Sequence, residues 1–222
     1  MVQRAVVVLK RSMRTVLFAV AIRVSIYAIL LGTIAYGMLW GAVVYDEAFY
    51  DETGPVEIAE TVFDLTAALV FLLAARKDRS KEPCAVLIAG LFFCLFIREW
   101  DYLLDNLISR HSWKIGVALV VTGMTVYAVR HIREVYFSVL RFTHLPSFGI
   151  FLSGLLVLIA FSRLFGYGPF WKAIMDDSSY RTVKTIVEEG VEAMGYFLML
   201  ISACEYLHEA RMRTRFDWKS AK

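Results

Sequence analysis

Hydrophobic residues are arranged along the chain in six blocks that are separated by short polar segments. The clearest block spans residues 24–45 and contains no charged residue. Five further blocks follow it, at residues 57–75, 84–104, 115–129, 148–165 and 183–205. A helix of about 20 mostly apolar residues is long enough to cross the hydrocarbon core of a bilayer. The pattern therefore predicts an all-α, polytopic membrane bundle of six transmembrane helices.

The segment before the first block and the segment after the last block are both basic. Arg4, Lys10, Arg11 and Arg14 interrupt the apolar residues near the start of the chain, which predicts a basic amphipathic helix at the membrane interface over residues 1–23. Residues 24–207 are then expected to form the six-helix transmembrane domain. Residues 208–222 are expected to form a basic cytoplasmic tail.

The composition supports a membrane protein and excludes several other classes. Apolar residues make up 59% of the 222 residues and charged residues 20%, whereas ordinary globular chains contain about 45–50% apolar residues. This excludes a disordered chain, a coiled coil and a soluble nucleic-acid-binding protein. The expected partner is the lipid bilayer and not a nucleic acid.

The distribution of lysine and arginine predicts the orientation in the membrane. If the N-terminus is cytoplasmic, most of the 24 basic residues fall in cytoplasmic segments, as the positive-inside rule requires. The outer loops then hold Arg110, Lys114, Lys172 and Arg181. We therefore expect both termini in the cytoplasm and a location in the inner or plasma membrane of the cell.

Three of the blocks carry charged residues where a membrane span should be apolar. The uncharged runs within them, residues 65–75, 84–97 and 193–204, are too short to cross the core at about 1.5 Å per residue. Each must be extended at its outer end, where the charged residues are Glu57, Glu60, Asp64, Arg98, Glu99, Asp101, Asp105, Glu188, Glu189 and Glu192. A charge at the centre of a bilayer costs about 2.5–3.5 kcal/mol on insertion scales. These side chains should therefore face one another or a water-filled cavity.

The deepest of these acids form the predicted functional site. Intramembrane ionisable residues are functional candidates by default, and oxygen ligands suit a divalent cation. Arg98 and Arg163 are predicted as structural counter-charges. The alternative to a functional site is a purely structural salt bridge within the membrane, such as one between Arg98 and Glu192 or Asp64. The candidate residues for a cation or proton site are Glu60, Asp64, Glu99, Glu189 and Glu192.

The sequence leaves several functions open, and it identifies no catalytic residue. The first hypothesis is an integral membrane protein that binds, senses or transports a cation or proton through an acidic cavity in the outer leaflet. The second is a membrane-embedded enzyme that uses carboxylates or a metal on a lipid-like substrate. The third is an accessory subunit of a membrane complex. Either a homo-oligomer or a partner subunit in the membrane is compatible with the sequence.

The predicted orientation can be tested by labelling. A reporter fused after Lys222 should be active if it functions in the cytoplasm. A cysteine introduced at Thr53, in the predicted first outer loop, should react with an impermeant thiol reagent added outside intact cells. Labelling of this cysteine only after lysis would reverse the orientation and move the acidic site to the cytoplasmic side.

Overall fold

All regular structure in the described part of the chain is helical. The computed structural model describes the backbone of residues 2–45, 49–50, 54–175 and 179–220, and side chains within these ranges from residue 16 to residue 212. The predicted labelling position, Thr53, lies outside the described residues. The all-α prediction is thus confirmed for the described residues.

Ten α-helices and one π-helical segment make up these described ranges. They are α1 (Val2–Val44), α2 (Pro55–Lys77), α3 (Glu82–Glu99), α4 (Asp101–Leu107), α5 (Trp113–Arg130), α6 (Ile132–Thr143), α7 (Pro146–Leu156), the π segment (Val157–Ser162), α8 (Arg163–Phe165), α9 (Gly168–Lys172) and α10 (Tyr180–Ser220). Proline stands in the first turn of α2, α3, α7 and α9, where its missing N–H costs no intrahelical hydrogen bond.

Within the described residues, four helical stretches are long and apolar enough to cross a membrane. They are Val16–Val44, Pro55–Lys77, Trp113–Arg130 and Pro146–Phe165. A fifth is possible if α3 and α4, which meet at a bend of 59°, form one broken span. The sixth predicted block lies in the 41-residue α10, which is not among these stretches. The count of six spans and their orientation therefore remain predictions.

The first helix forms a compact unit by itself, over residues 1–44. It runs without a break from Val2 to Val44, so the predicted boundary between residues 23 and 24 is not marked by a turn. Its apolar stretch begins at Val16. An interfacial role for residues 1–23 stays a prediction.

The second unit is organised around one buried stripe of α2. Its members recur at spacings of three and four residues and therefore share one helical face. The half of the stripe near Pro55 carries the carboxylates, and the other half carries alanines and a phenylalanine. The buried residues of this face are Glu60, Asp64, Ala67, Phe71 and Ala74. Neighbouring α3 and α10 both pack against α2.

An aromatic cluster fills the centre of this unit. The ring of Phe71 stacks on Phe92 at 5.9 Å between centroids and lies 5.3 Å from Tyr206. Phe142 meets Tyr206 edge to face at 5.2 Å and Phe151 at 5.8 Å. Pairs in such geometries contribute about 0.5–1.5 kcal/mol beyond their area burial. The cluster makes an apolar layer beside the carboxylate end of α2.

A second polar group closes the other end of α2. Lys81, buried in the turn that follows α2, lies 3.6 Å from a carboxylate oxygen of Glu209 on α10. The hydroxyl of Ser147 donates to the same carboxylate at 2.9 Å. Ser147 is in the first turn of α7, where a negative charge is favourable. This group joins the α2–α3 turn, the start of α7 and α10.

Two glycines allow α7 and α10 to approach closely. A methyl group built on Gly154 would lie 2.7 Å from the carbonyl oxygen of Gly195, and one built on Gly195 would lie 2.7 Å from Leu158. Small residues at a helix crossing let the backbones approach in this way. The contact fixes the position of α10 against α7.

We expect Gly154→Ala to destabilise the protein by about 1–3 kcal/mol, since the added methyl group meets backbone that cannot move without shifting a helix. Its matched control is Gly149→Ala in the same helix, where nothing lies within 4 Å of the added atom. Alanine favours a helix over glycine, so the control should retain or raise Tm. Melting of both variants in detergent checks the difference. Equal Tm values would contradict the close crossing.

Candidate functional site

The site begins with two acids on the buried face of α2. The side chains of Glu60 and Asp64 are fully buried, although both residues carry carboxylates. None of their four oxygens has a hydrogen-bond partner among the described residues. A buried carboxylate without a partner is costly, because the protein interior replaces little of its lost hydration. These two groups therefore need a compensating charge or proton.

Two further acids approach Glu60 from other helices. Glu99 is the last residue of α3, and Glu192 lies on α10. One carboxylate oxygen from each of the three residues lies within 4.8 Å of the other two. Ligand distances of 2.3–2.6 Å are typical for calcium, so three oxygens within 4.8 Å of one another could close around one ion after a small movement of their side chains. Three carboxylates from three helices thus meet in one place.

Arg98 partly neutralises this group. Its guanidinium is bonded to the carboxylate of Glu99 and lies 3.4 Å from Glu192. Glu192 is thus a partner of Arg98, as in the purely structural alternative considered from the sequence. The Tyr196 hydroxyl accepts a hydrogen bond from Arg98 at 3.1 Å and donates one to Glu99 at 2.6 Å. The arginine and the tyrosine therefore hold Glu99 and Glu192 in place, and neither is hydrogen-bonded to Glu60 or Asp64.

The π segment provides the other partners of Glu192. The Ser162 hydroxyl, which is fully buried at the end of this segment, donates to Glu192. Arg163, the next residue, lies 3.5 Å from the same carboxylate oxygen. Single-turn π-helical insertions are frequent at functional sites, since the wider turn re-aims the following side chains. Here the segment ends with a serine and an arginine at one carboxylate.

A polar cavity of about 630 Å³ opens beside the carboxylates. Its wall includes an ion pair within α10, in which Lys184 lies 2.7 Å from Glu188. Acids outnumber bases around it. The lining residues are Tyr50, Glu57, Arg98, Glu99, Asp101, Tyr102, Arg163, Lys184, Thr185, Glu188, Glu189 and Glu192.

The structure separates the five predicted cation or proton ligands into three positions. Glu60, Glu99 and Glu192 form the group of three oxygens. Asp64 lies one helical turn from Glu60 on the same face. Glu189 lines the cavity. Arg98 and Arg163, predicted as counter-charges, are both in ion pairs with Glu192. Their roles toward a cation stay predictions.

Two polar residues of the site were missed from the sequence. Ser162 and Tyr196 lie in apolar runs, where serine and tyrosine are ordinary residues of a packed helix. For Tyr196 a signal existed, since it follows Glu192 by four residues and shares its helical face. Ser162 is followed in the chain by the charged Arg163. The π segment that brings both residues to Glu192 could not be predicted, because no residue pattern marks it.

Comparison with family models, with curated protein sequences and with solved structures finds no match to this chain.

Removal of Arg98 should destabilise the protein. Breaking a buried ion pair by removing one partner costs about 3–5 kcal/mol, and we expect less for Arg98→Ala because 34% of the side chain is exposed. Arg163→Ala is the control. Its side chain is 62% exposed, and pairs of that kind contribute about 0–1 kcal/mol. Thermal melting in detergent should rank Arg98→Ala well below Arg163→Ala.

A double variant separates charge balance from loss of packing. Adding Glu192→Gln to Arg98→Ala removes an acid that the arginine neutralised, so the double variant should regain part of the lost Tm. If the double variant loses as much Tm as the single variants Arg98→Ala and Glu192→Gln lose together, the assignment of Arg98 as a counter-charge is contradicted.

Proposed function

We propose that the protein is a multi-pass integral membrane protein of six spans, with cytoplasmic termini, that binds a cation between α2, α3 and α10. Its ligands are the carboxylates of Glu60, Glu99 and Glu192, with Asp64 one turn away. The four or five helical stretches that are apolar enough to cross a membrane support an integral membrane protein. The six spans and the cytoplasmic termini rest on the hydrophobic blocks and on the distribution of lysine and arginine. The arrangement of the acids supports the second part.

One observation carries the cation site. The carboxylate of Glu60 is fully buried and without a hydrogen-bond partner, yet one of its oxygens lies within 4.8 Å of oxygens from Glu99 and Glu192. Three carboxylates at this separation repel one another unless they are protonated or positive charge lies between them. Arg98 supplies part of that charge to Glu99 and Glu192. A bound cation supplies it to Glu60.

The donor set favours a hard divalent ion. Carboxylate oxygens are the ligands of magnesium, calcium and manganese, whereas zinc and iron sites in proteins usually include histidine or cysteine. The group also lies beside the cavity wall, because Glu99 and Glu192 belong to both. An ion can therefore enter from the cavity.

The apolar residues that follow Asp64 on α2 favour binding of a cation over its conduction across the membrane. The next buried residues of the α2 face are Ala67, Ala68 and Phe71, and the rings of Phe92 and Tyr206 pack against Phe71. After Asp64 and up to the end of the helix, the described buried residues of α2 carry no side-chain oxygen. The role proposed is therefore that of a binding or sensing protein.

Manganese binding measured by electron paramagnetic resonance tests this function. The purified protein should bind one Mn²⁺, and Glu60→Gln should weaken binding at least tenfold, because the amide keeps the shape of the side chain but cannot neutralise the ion. Asp105→Asn is the matched control, since Asp105 accepts a backbone hydrogen bond from His111 at 2.7 Å and lies outside the group.

The affinity should fall as the pH is lowered, since protons compete with the ion for the same carboxylates. Failure of the wild-type protein to bind Mn²⁺, Mg²⁺ or Ca²⁺ would contradict the cation site and leave protonation as the means by which the acids of α2 are neutralised. Equal loss in Glu60→Gln and Asp105→Asn would contradict the assignment of the ligands.

A further inference from the structure

An apolar groove of about 440 Å³ lies between the first half of α2 and the bent α3–α4 pair. Helix α2 contributes Ile58, Val62 and Leu65, and the bent pair contributes Phe96, Trp100 and Leu103. Trp100 stands at the bend of 59° between α3 and α4. Because α4 leaves the direction of α3 there, side chains from both arms of the bend face the same stretch of α2.

The groove is continuous with the polar cavity. Glu57, Glu99 and Tyr102 line both. One of these, Glu99, is also a member of the three-carboxylate group. A molecule lying across this boundary would have one end among apolar side chains and the other among charged ones. The shared wall therefore fits an amphiphile better than it fits a purely polar or a purely apolar ligand.

The charges of the cavity select the head group. Its three bases, Arg98, Arg163 and Lys184, are each in an ion pair with a glutamate, so their charges are already balanced. The same cavity is lined by six acids, twice the number of bases. These acids are Glu57, Glu99, Asp101, Glu188, Glu189 and Glu192. A cationic head would be attracted by the surplus of carboxylate, and an anionic head would be repelled.

We propose that the cavity and the groove together bind one amphiphile, a long-chain amine with an ammonium head group. The head lies among the carboxylates that line the mouth of the cavity, and the alkyl chain lies along Val62 and Leu103 in the groove. This inference rests on the proposed function, because the same surplus of carboxylate attracts the inorganic cation and the ammonium group.

Photolabelling tests the inference in the full-length protein in phosphatidylcholine nanodiscs. The probe is hexadecylamine with a diazirine in the middle of its chain, and hexadecanol with the same diazirine is the matched control for the head group. Mass spectrometry should place the amine label on the groove residues of α2 and α4, at least fivefold above the alcohol label. Unlabelled hexadecylamine should compete, and hexadecanol should not.

Two tryptophan variants test the position of the chain. Val62→Trp fills the groove and should reduce the label at least fivefold. Val121→Trp adds the same bulk to an exposed apolar position on α5, so it should leave the label unchanged. Equal labelling by amine and alcohol, or labelling that Val62→Trp does not change, would overturn the inference and identify the groove as ordinary lipid contact.

A Mn²⁺ titration of the same wild-type preparation separates this inference from the proposed function. Binding of Mn²⁺ without selective amine labelling overturns the amphiphile alone. Absence of both overturns the amphiphile and the cation site together.

Discussion

The burial of two carboxylates on the packed face of α2 is the constraint on which the rest of this structure depends. Glu60 and Asp64 occupy the same stripe as Ala67 and Phe71, so the face that packs the bundle also carries its most costly groups. Packing α3 and α10 against that face brings Glu99 and Glu192 to Glu60. The fold and the site are therefore consequences of one helix face.

The two ends of this face are treated differently. Near Lys81 the opposite charges are matched, because the carboxylate of Glu209 forms an ion pair with Lys81 and accepts a hydrogen bond from the hydroxyl of Ser147. Near Glu60 the acids exceed the bases that reach them, and the excess faces a cavity. The group with matched charges joins helices, whereas the surplus of carboxylate near Glu60 supports the proposed cation site. The difference is the physical reason for placing the function at the Glu60 end.

Much of this arrangement was predictable from the sequence, because the hydrophobic blocks and the prolines fix most helix positions. The convergence of Arg98, Glu99 and Glu192 followed from the cost of exposing charges to lipid. Two features could not be predicted, namely the bend at Trp100 and the continuity of α1 past Arg23. Both depend on local backbone geometry that has no distinctive residue pattern. The role of Ser162 could not be predicted either, because it depends on the π segment that ends at this residue.

The central claim is that a cation occupies the space between Glu60, Glu99 and Glu192. The most direct measurement is an anomalous difference map from crystals of the protein grown with Mn²⁺. We expect one peak within about 2.0–2.6 Å of an oxygen from each of the three carboxylates, as is typical for oxygen ligands of hard divalent ions. A map without a peak there, or with manganese bound at Asp101 and Glu188 instead, would contradict it.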